Sequence, residues 1–104
     1  MTFRRYEMLL PLRFNDGTPV PPELLAATTR ELKDRFGAAS AETQTIRGLW
    51  DGGGGTEADD LKRIFIDVPD TAENRDFFRS LKRRLAERFR QDEIWMTTHP
   101  VEVV

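Results

Sequence analysis

The sequence predicts an α+β domain in which a four-stranded antiparallel sheet carries two helices on one face. Three observations point to this. Apolar residues alternate with a period of two in four segments and follow a helical period in two others. The segments run strand, helix, strand, strand, helix, strand. The 104 residues suit one domain, able to bury roughly two-thirds of its unfolded surface without metal or disulfide support.

The first strand is "YEMLLPLRF". Tyr6, Met8, Leu10, Leu12 and Phe14 share one face, and Glu7, Leu9, Pro11 and Arg13 the other. "NDG" at 15–17 ends it as a turn. Pro11 lacks the N–H that a central strand uses, so a bulge or a ladder end is expected there. "PPELLAATTRELKDRFG" is the first helix, with proline in its first turn and Gly37 at its stop. Leu25, Leu32 and Phe36 make its apolar stripe, beside Leu24 and Thr28.

"AETQTIRGLWD" and "LKRIFIDV" are the second and third strands. Between them "GGGG" is expected to form a mobile hairpin loop spanning 51–60. A phosphate cradle would open into a helix and carry Lys and Ser/Thr. Here the glycines lead into Glu57, Asp59, Asp60 and then a strand. Those three acids follow no calcium-loop pattern, so no metal is expected. "PDTAENRDFFRSLKRRLAERFRQ" is the second helix, with Asp70 as its expected cap and Glu73 three residues on. Phe77, Phe78, Leu81, Leu85 and Phe89 form its apolar side. "EIWMTTHPVEVV" closes the chain as a fourth strand, bent at Pro100.

Composition excludes several chemistries. With no cysteine there is no disulfide, thiolate metal site or cysteine nucleophile. A net charge of -2 and a pI near 5.4 argue against a general nucleic-acid or anionic-membrane binder. No segment reaches the roughly 20 apolar residues of a membrane span. The basic N-terminus lacks a signal peptide's long apolar run and cleavage site, so the expected location is cytoplasmic. No cofactor is expected.

Three groups of residues carry the candidate functions. His99 is the only histidine, and with Asp67 it makes a weak candidate catalytic pair. The second helix carries Arg75, Arg79, Lys82, Arg83, Arg84, Arg88 and Arg90, an anion or nucleic-acid surface in one reading and an ordinary solvated face in another. The third group is the sheet face away from the helices. If Tyr6, Met8, Leu10, Ile46, Ile64, Ile66, Val68, Ile94 and Met96 point into the core, then Leu9, Leu49, Phe65 and Trp95 point outward, with Arg47 and Arg63 as a polar rim. Four large apolar side chains on an open face mark an interface or ligand site.

The element order resembles the ferredoxin-like plaits, a group that includes RNA-recognition domains and the dimeric α/β barrels. The third strand, "LKRIFIDV", lacks the glycine and aromatic pattern of an RNA-recognition domain. The dimeric barrels imply a pocket between two sheets. "LPLRFNDG" and "DTAENRDFFRSLKRRLAERF" resemble a small bacterial family with no established activity. The expectation from the residues is a non-enzymatic binding or structural module, a homodimer or partner binder through the sheet face. Two alternatives stand beside it: a cofactor-free oxygenase or isomerase with His99 in an inter-sheet pocket, and an anion or nucleic-acid binder using the second helix.

Overall fold

The computed structural model describes residues 2–104. Its elements are β1 (Phe3–Pro11), α1 (Pro22–Phe36), β2 (Ser40–Ala41), β3 (Ile46–Gly52), β4 (Gly55–Pro69), α2 (Ala72–Arg88) and β5 (Trp95–Val101). All five strands join one antiparallel sheet that does not close. Its order is β2-β4-β1-β5, and β3 pairs β4 beyond β2. The expected second strand is therefore two strands. Ala41 faces Ile64 and Ile46 faces Leu61, so five steps on one side match three on the other. The extra residues leave the ladder between them.

The period-two pattern of β1 places Tyr6, Met8 and Leu10 in the core, where Ile64, Ile66 and Val68 of β4 join them. Leu32 from α1 and Phe78, Leu81 and Leu85 from α2 close over this face. Burying these side chains at about 25 cal/mol per Å² is the main force holding the helices to the sheet. α1 ends at Gly37, whose φ of 88° lets its N–H return to Lys33 O at 2.8 Å. The cap of α2 is Thr71, not Asp70: its hydroxyl accepts from the Asn74 N–H at 3.1 Å. Asp70 instead pairs with Arg75.

Pro11 sits at a ladder end, as its missing N–H requires. Leu12 N–H donates to Asp60 O of β4. Donors alternate sides along a strand, so position 11 faces the side where pairing with β5 has already ended at Leu9 and Trp95.

The glycine stretch departs from expectation. Residues 51–60 are not a long loop. Gly52 pairs with Gly55, and only Gly53 and Gly54 make the turn. The backbone freedom of glycine is used just after the turn, at Gly55, and not at the two turn positions. β4 thus reaches 15 residues, and its first part forms with β3 a two-stranded arm beyond the helices. Gly55 has a φ of 131°, whereas Gly53 and Gly54 have ordinary φ values and open space around the Cβ position. Gly55→Ala is expected to cost about 1–3 kcal/mol from backbone strain. Gly53→Ala is expected to stay within about 1 kcal/mol. Urea midpoints of the two variants test this, and equal midpoints would refute it.

Among the described residues, no helix is long and apolar enough to cross a membrane.

Candidate functional site

The arm and the lower end of the sheet enclose a cleft of about 590 Å³. β1 supplies Leu9 and Pro11, and β4 supplies Leu61 and Asp59. β3 supplies Gly48, Leu49 and Trp50. The segment before β5 supplies Asp92, Glu93, Ile94 and the first residue of that strand, Trp95. This volume suits a small organic ligand.

Register explains the convergence. Leu9 faces Trp95 on one side and Arg63 on the other. Counting down β4 by twos from Arg63 reaches Leu61 and then Asp59 on the same face. Gly48 pairs with Asp59 and Trp50 with Glu57, which puts Trp50 on that face too. Opposite Asp59 there is no side chain, because its partner is glycine. A Cβ at Gly48 would approach the Leu61 side chain to 3.1 Å.

Two indoles thus stand beside acids. Trp95 is 65% exposed and Trp50 48%, which is high for side chains of this size. Burial pushes the Asp59 carboxyl above its ordinary range. The neighbouring Asp60 charge adds to this, and a hydrogen bond from the Asp60 backbone works against it. Glu93 is held by Lys82 at 2.6 Å.

Leu9, Leu49 and Trp95 of the expected patch line this cleft; Phe65, Arg47 and Arg63 do not. The expected facing of β3 is corrected by one residue. Ile46 pairs with Leu61, so it lies on the outer face and not in the core. Arg47 and Leu49 pair with Asp60 and Ala58 on the opposite parity. Arg47 bonds Asp60 at 3.1 Å. Leu49 stays 67% exposed because the arm projects past the helices.

Phe65 is not an open apolar surface. Arg5 and Arg63 lie over its ring, at 4.8 and 4.4 Å from the centroid. Arg63 bridges Glu7 at 2.5 Å and Glu42 at 2.9 Å, and Arg5 grips Asp67 through two bonds of 2.7 and 2.9 Å. Pairing with Arg63 outweighs burial and holds the Glu7 carboxyl low, and Arg5 does the same for Asp67. The middle of the sheet face is therefore a salt-bridge lattice around one aromatic ring.

His99 and Asp67, the weak candidate pair, flank Arg5 on the outer face of the sheet, where a pocket between two sheets would form. His99 is exposed on the edge strand β5, with Nδ1 3.0 Å from the carbonyl of Pro100. Asp67 is committed to Arg5. The basic stripe of α2 is likewise mostly occupied: Arg84 and Arg88 share Glu31 at 2.6 and 3.1 Å, and Arg79 holds Asp76. Among the described residues no metal-binding group of three or more side chains forms. Alternation explains why the acids near the arm do not gather: Asp59 and Asp60 point to opposite faces.

Trp50, Asp92 and Glu93 were not anticipated from the sequence, which singles out Asp59 only as one of three acids without a metal-binding pattern. Pairing "GLWDG" with "GTEAD" across a two-glycine turn would have placed Trp50 and Asp59 on one face. Treating 51–60 as a loop hid that signal.

No family model matches the sequence, and no curated protein does. Solved structures resemble it over nearly its whole length, two of them phage proteins. One is a phage SAM lyase in the apo state, with a TM-score of 0.67 and 19% identity over 95% of this chain and 81% of that one. The other is a phage SAM lyase in complex with S-methyl-5'-thioadenosine, with a TM-score of 0.68 and 16% identity over 98% of this chain and 90% of that one. The fold is shared with an enzyme. This overturns the expectation of a non-enzymatic binding module, which rested on finding no catalytic motif. At this identity the likeness is one of fold, and residue roles must come from the cleft itself.

Proposed function

We propose that the chain is an enzyme that cleaves a sulfonium nucleoside of the S-adenosylmethionine type, with the cleft between arm and sheet as its site. The fold of the phage lyases supports the reaction class. The observation that carries the site is the juxtaposition of Trp50 and Trp95 with Asp59. An adenine ring stacks on indole. A sulfonium is a cation that indole faces and carboxylates both attract. Asp92 and Glu93 add negative charge at the rim.

The chemistry suits such a site. When a carbon–sulfur bond of a sulfonium breaks, the electron pair goes to sulfur. The thioether leaves neutral, so no proton has to be delivered to it. Positive charge moves from sulfur toward carbon as the bond opens, and an oxygen of the substrate's own carboxylate closes on that carbon as the carbon–sulfur bond breaks, so the products are the neutral thioether and a lactone. A carboxylate held in a partly desolvated place stabilises that charge more than one in water. We assign this role to Asp59.

The sheet order also supports a finer reading of the architecture. If β2 and β3 count as one interrupted strand, the order becomes that of a ferredoxin-like plait.

The test is incubation of the full chain with S-adenosylmethionine, with S-methyl-5'-thioadenosine followed by mass spectrometry against a protein-free control. Release in proportion to protein is expected. Release no faster than the control would overturn the reading.

A further inference from the structure

We propose that the cavity between α2 and the β1–β5 side of the sheet is a second site, which binds a small organic oxyanion, a carboxylate or phosphate joined to a flat apolar body. It goes beyond the lyase reading and does not rest on it.

The cavity measures about 370 Å³ and lies on the helix side of the sheet. Arg4 reaches it from β1, and Arg75, Arg79 and Lys82 reach it from α2. No acidic residue lines it. Each of the four has an acidic partner outside the lining, Asp70 for Arg4 and Arg75, Asp76 for Arg79 and Glu93 for Lys82, so three acids face four cations and the recess keeps a net positive charge.

The arginines are positioned from behind. A single oxygen, Asp70 Oδ1, lies 2.8 Å from Arg75 Nη2 and 3.3 Å from Arg4 Nε. One carboxylate therefore orients two guanidiniums and leaves donors of both unspent. Arg4 Nε is itself buried without a hydrogen bond, because its Asp70 contact is an ion pair lacking bond alignment. Buried donors are normally satisfied, and a bound oxyanion would draw the guanidinium into full bonding. Arg4 Nη1 approaches Thr98 Oγ1 at 3.5 Å, a long contact that an anion oxygen would replace.

The apolar side of the ligand is also specified. Tyr6 and Phe78 stack at 3.9 Å, with an interplanar angle of 9°, and both line the cavity with Met96. These two rings are 5% and 1% exposed and close the inner end of the recess, so Met96 gives the ligand's apolar body its main contact while the head group meets the arginines. Paired guanidiniums favour oxyanions with two or more oxygens in a plane.

The experiment titrates phenyl phosphate, and separately benzoate, into the ¹⁵N-labelled full chain at ionic strength fixed with sodium chloride. Saturable shifts are expected at the amides of Arg4, Arg75, Arg79 and Thr98, with the Trp50 and Trp95 indoles unmoved. The stronger of the two probes identifies the head group. Arg75→Gln is expected to weaken binding at least about tenfold. Its side chain is half exposed, so the variant should fold. Arg4→Gln repeats the test from the sheet side. The proposal is overturned by no saturable shift up to roughly 10 mM, by shifts spread over the outer face of α2, or by unchanged affinity in Arg75→Gln.

Discussion

Asp59→Asn is expected to lower the turnover of S-adenosylmethionine on the order of 100-fold, the usual effect of removing one group that faces developing charge. Its pKa is raised by burial, against a hydrogen bond from the Asp60 backbone that lowers it and beside the Asp60 charge that raises it. The ionised form is the one that opposes positive charge on carbon. The wild-type rate should therefore climb with pH through a value above the ordinary 3.8. The asparagine variant should lose that acid limb and keep only the residual rate. A variant with wild-type turnover, or with the same acid limb, would remove Asp59 from the site.

Stability should move the other way. An aspartate whose pKa rises on folding holds its proton more tightly in the folded chain. The stability it contributes is complete below the unfolded value of 3.8 and is lost as pH rises through the raised folded value. At neutral pH ionised Asp59 is therefore a net cost. Asparagine removes that cost, so the melting temperature of the variant at pH 7 should equal or exceed that of the wild type. Lower activity with undiminished stability separates a functional carboxylate from a structural one. A clear loss of both would mean that Asp59 holds the arm together.

The parts of this molecule legible in the sequence are those where one local rule acts alone. Tyr6, Met8 and Leu10 alternate into the core because nothing competes with the strand period. Phe78, Leu81 and Leu85 face inward by helical spacing. The site was only partly legible, since Leu9 and Trp95 fell on the predicted face through pairing with each other. The facing of β3 was not, because it depends on the pairing register with β4, and the residues that set that register lie in the interruption between Ala41 and Ile46. Shifting a strand by one position exchanges its two faces. That is why Leu49 and Arg47 were read as outward beside Phe65, and why Trp50 was missed. Arg5 and Arg63 over Phe65 come from neighbouring strands, and no periodicity within one strand reports such a contact.

Phe78→Ala is expected to be the most damaging single core truncation, at about 3–5 kcal/mol. Phe78 is 1% exposed. Its ring stacks on Tyr6 at 3.9 Å and on Phe36 at 5.6 Å, and meets Phe77 edge-on at 5.2 Å. It therefore joins α2 to both β1 and α1. Losing it removes a large buried surface and three aromatic contacts, each worth about 0.5–1.5 kcal/mol beyond area. A domain of this size has roughly 5–15 kcal/mol in all, and the melting temperature should fall by at least roughly 12 °C. Phe65→Ala should cost far less, because that ring lies half-buried on the outer face beneath two arginines. The consequence reaches function through β1. This strand presents Tyr6 to Phe78 on one face and Leu9 to the cleft on the other. Loosening α2 frees the strand whose position brings Leu9 against Trp95. At a temperature where Phe78→Ala is still folded, its Michaelis constant should rise while the acid limb set by Asp59 stays in place. A variant as stable as the wild type would show that the helices are held by something other than this aromatic cluster.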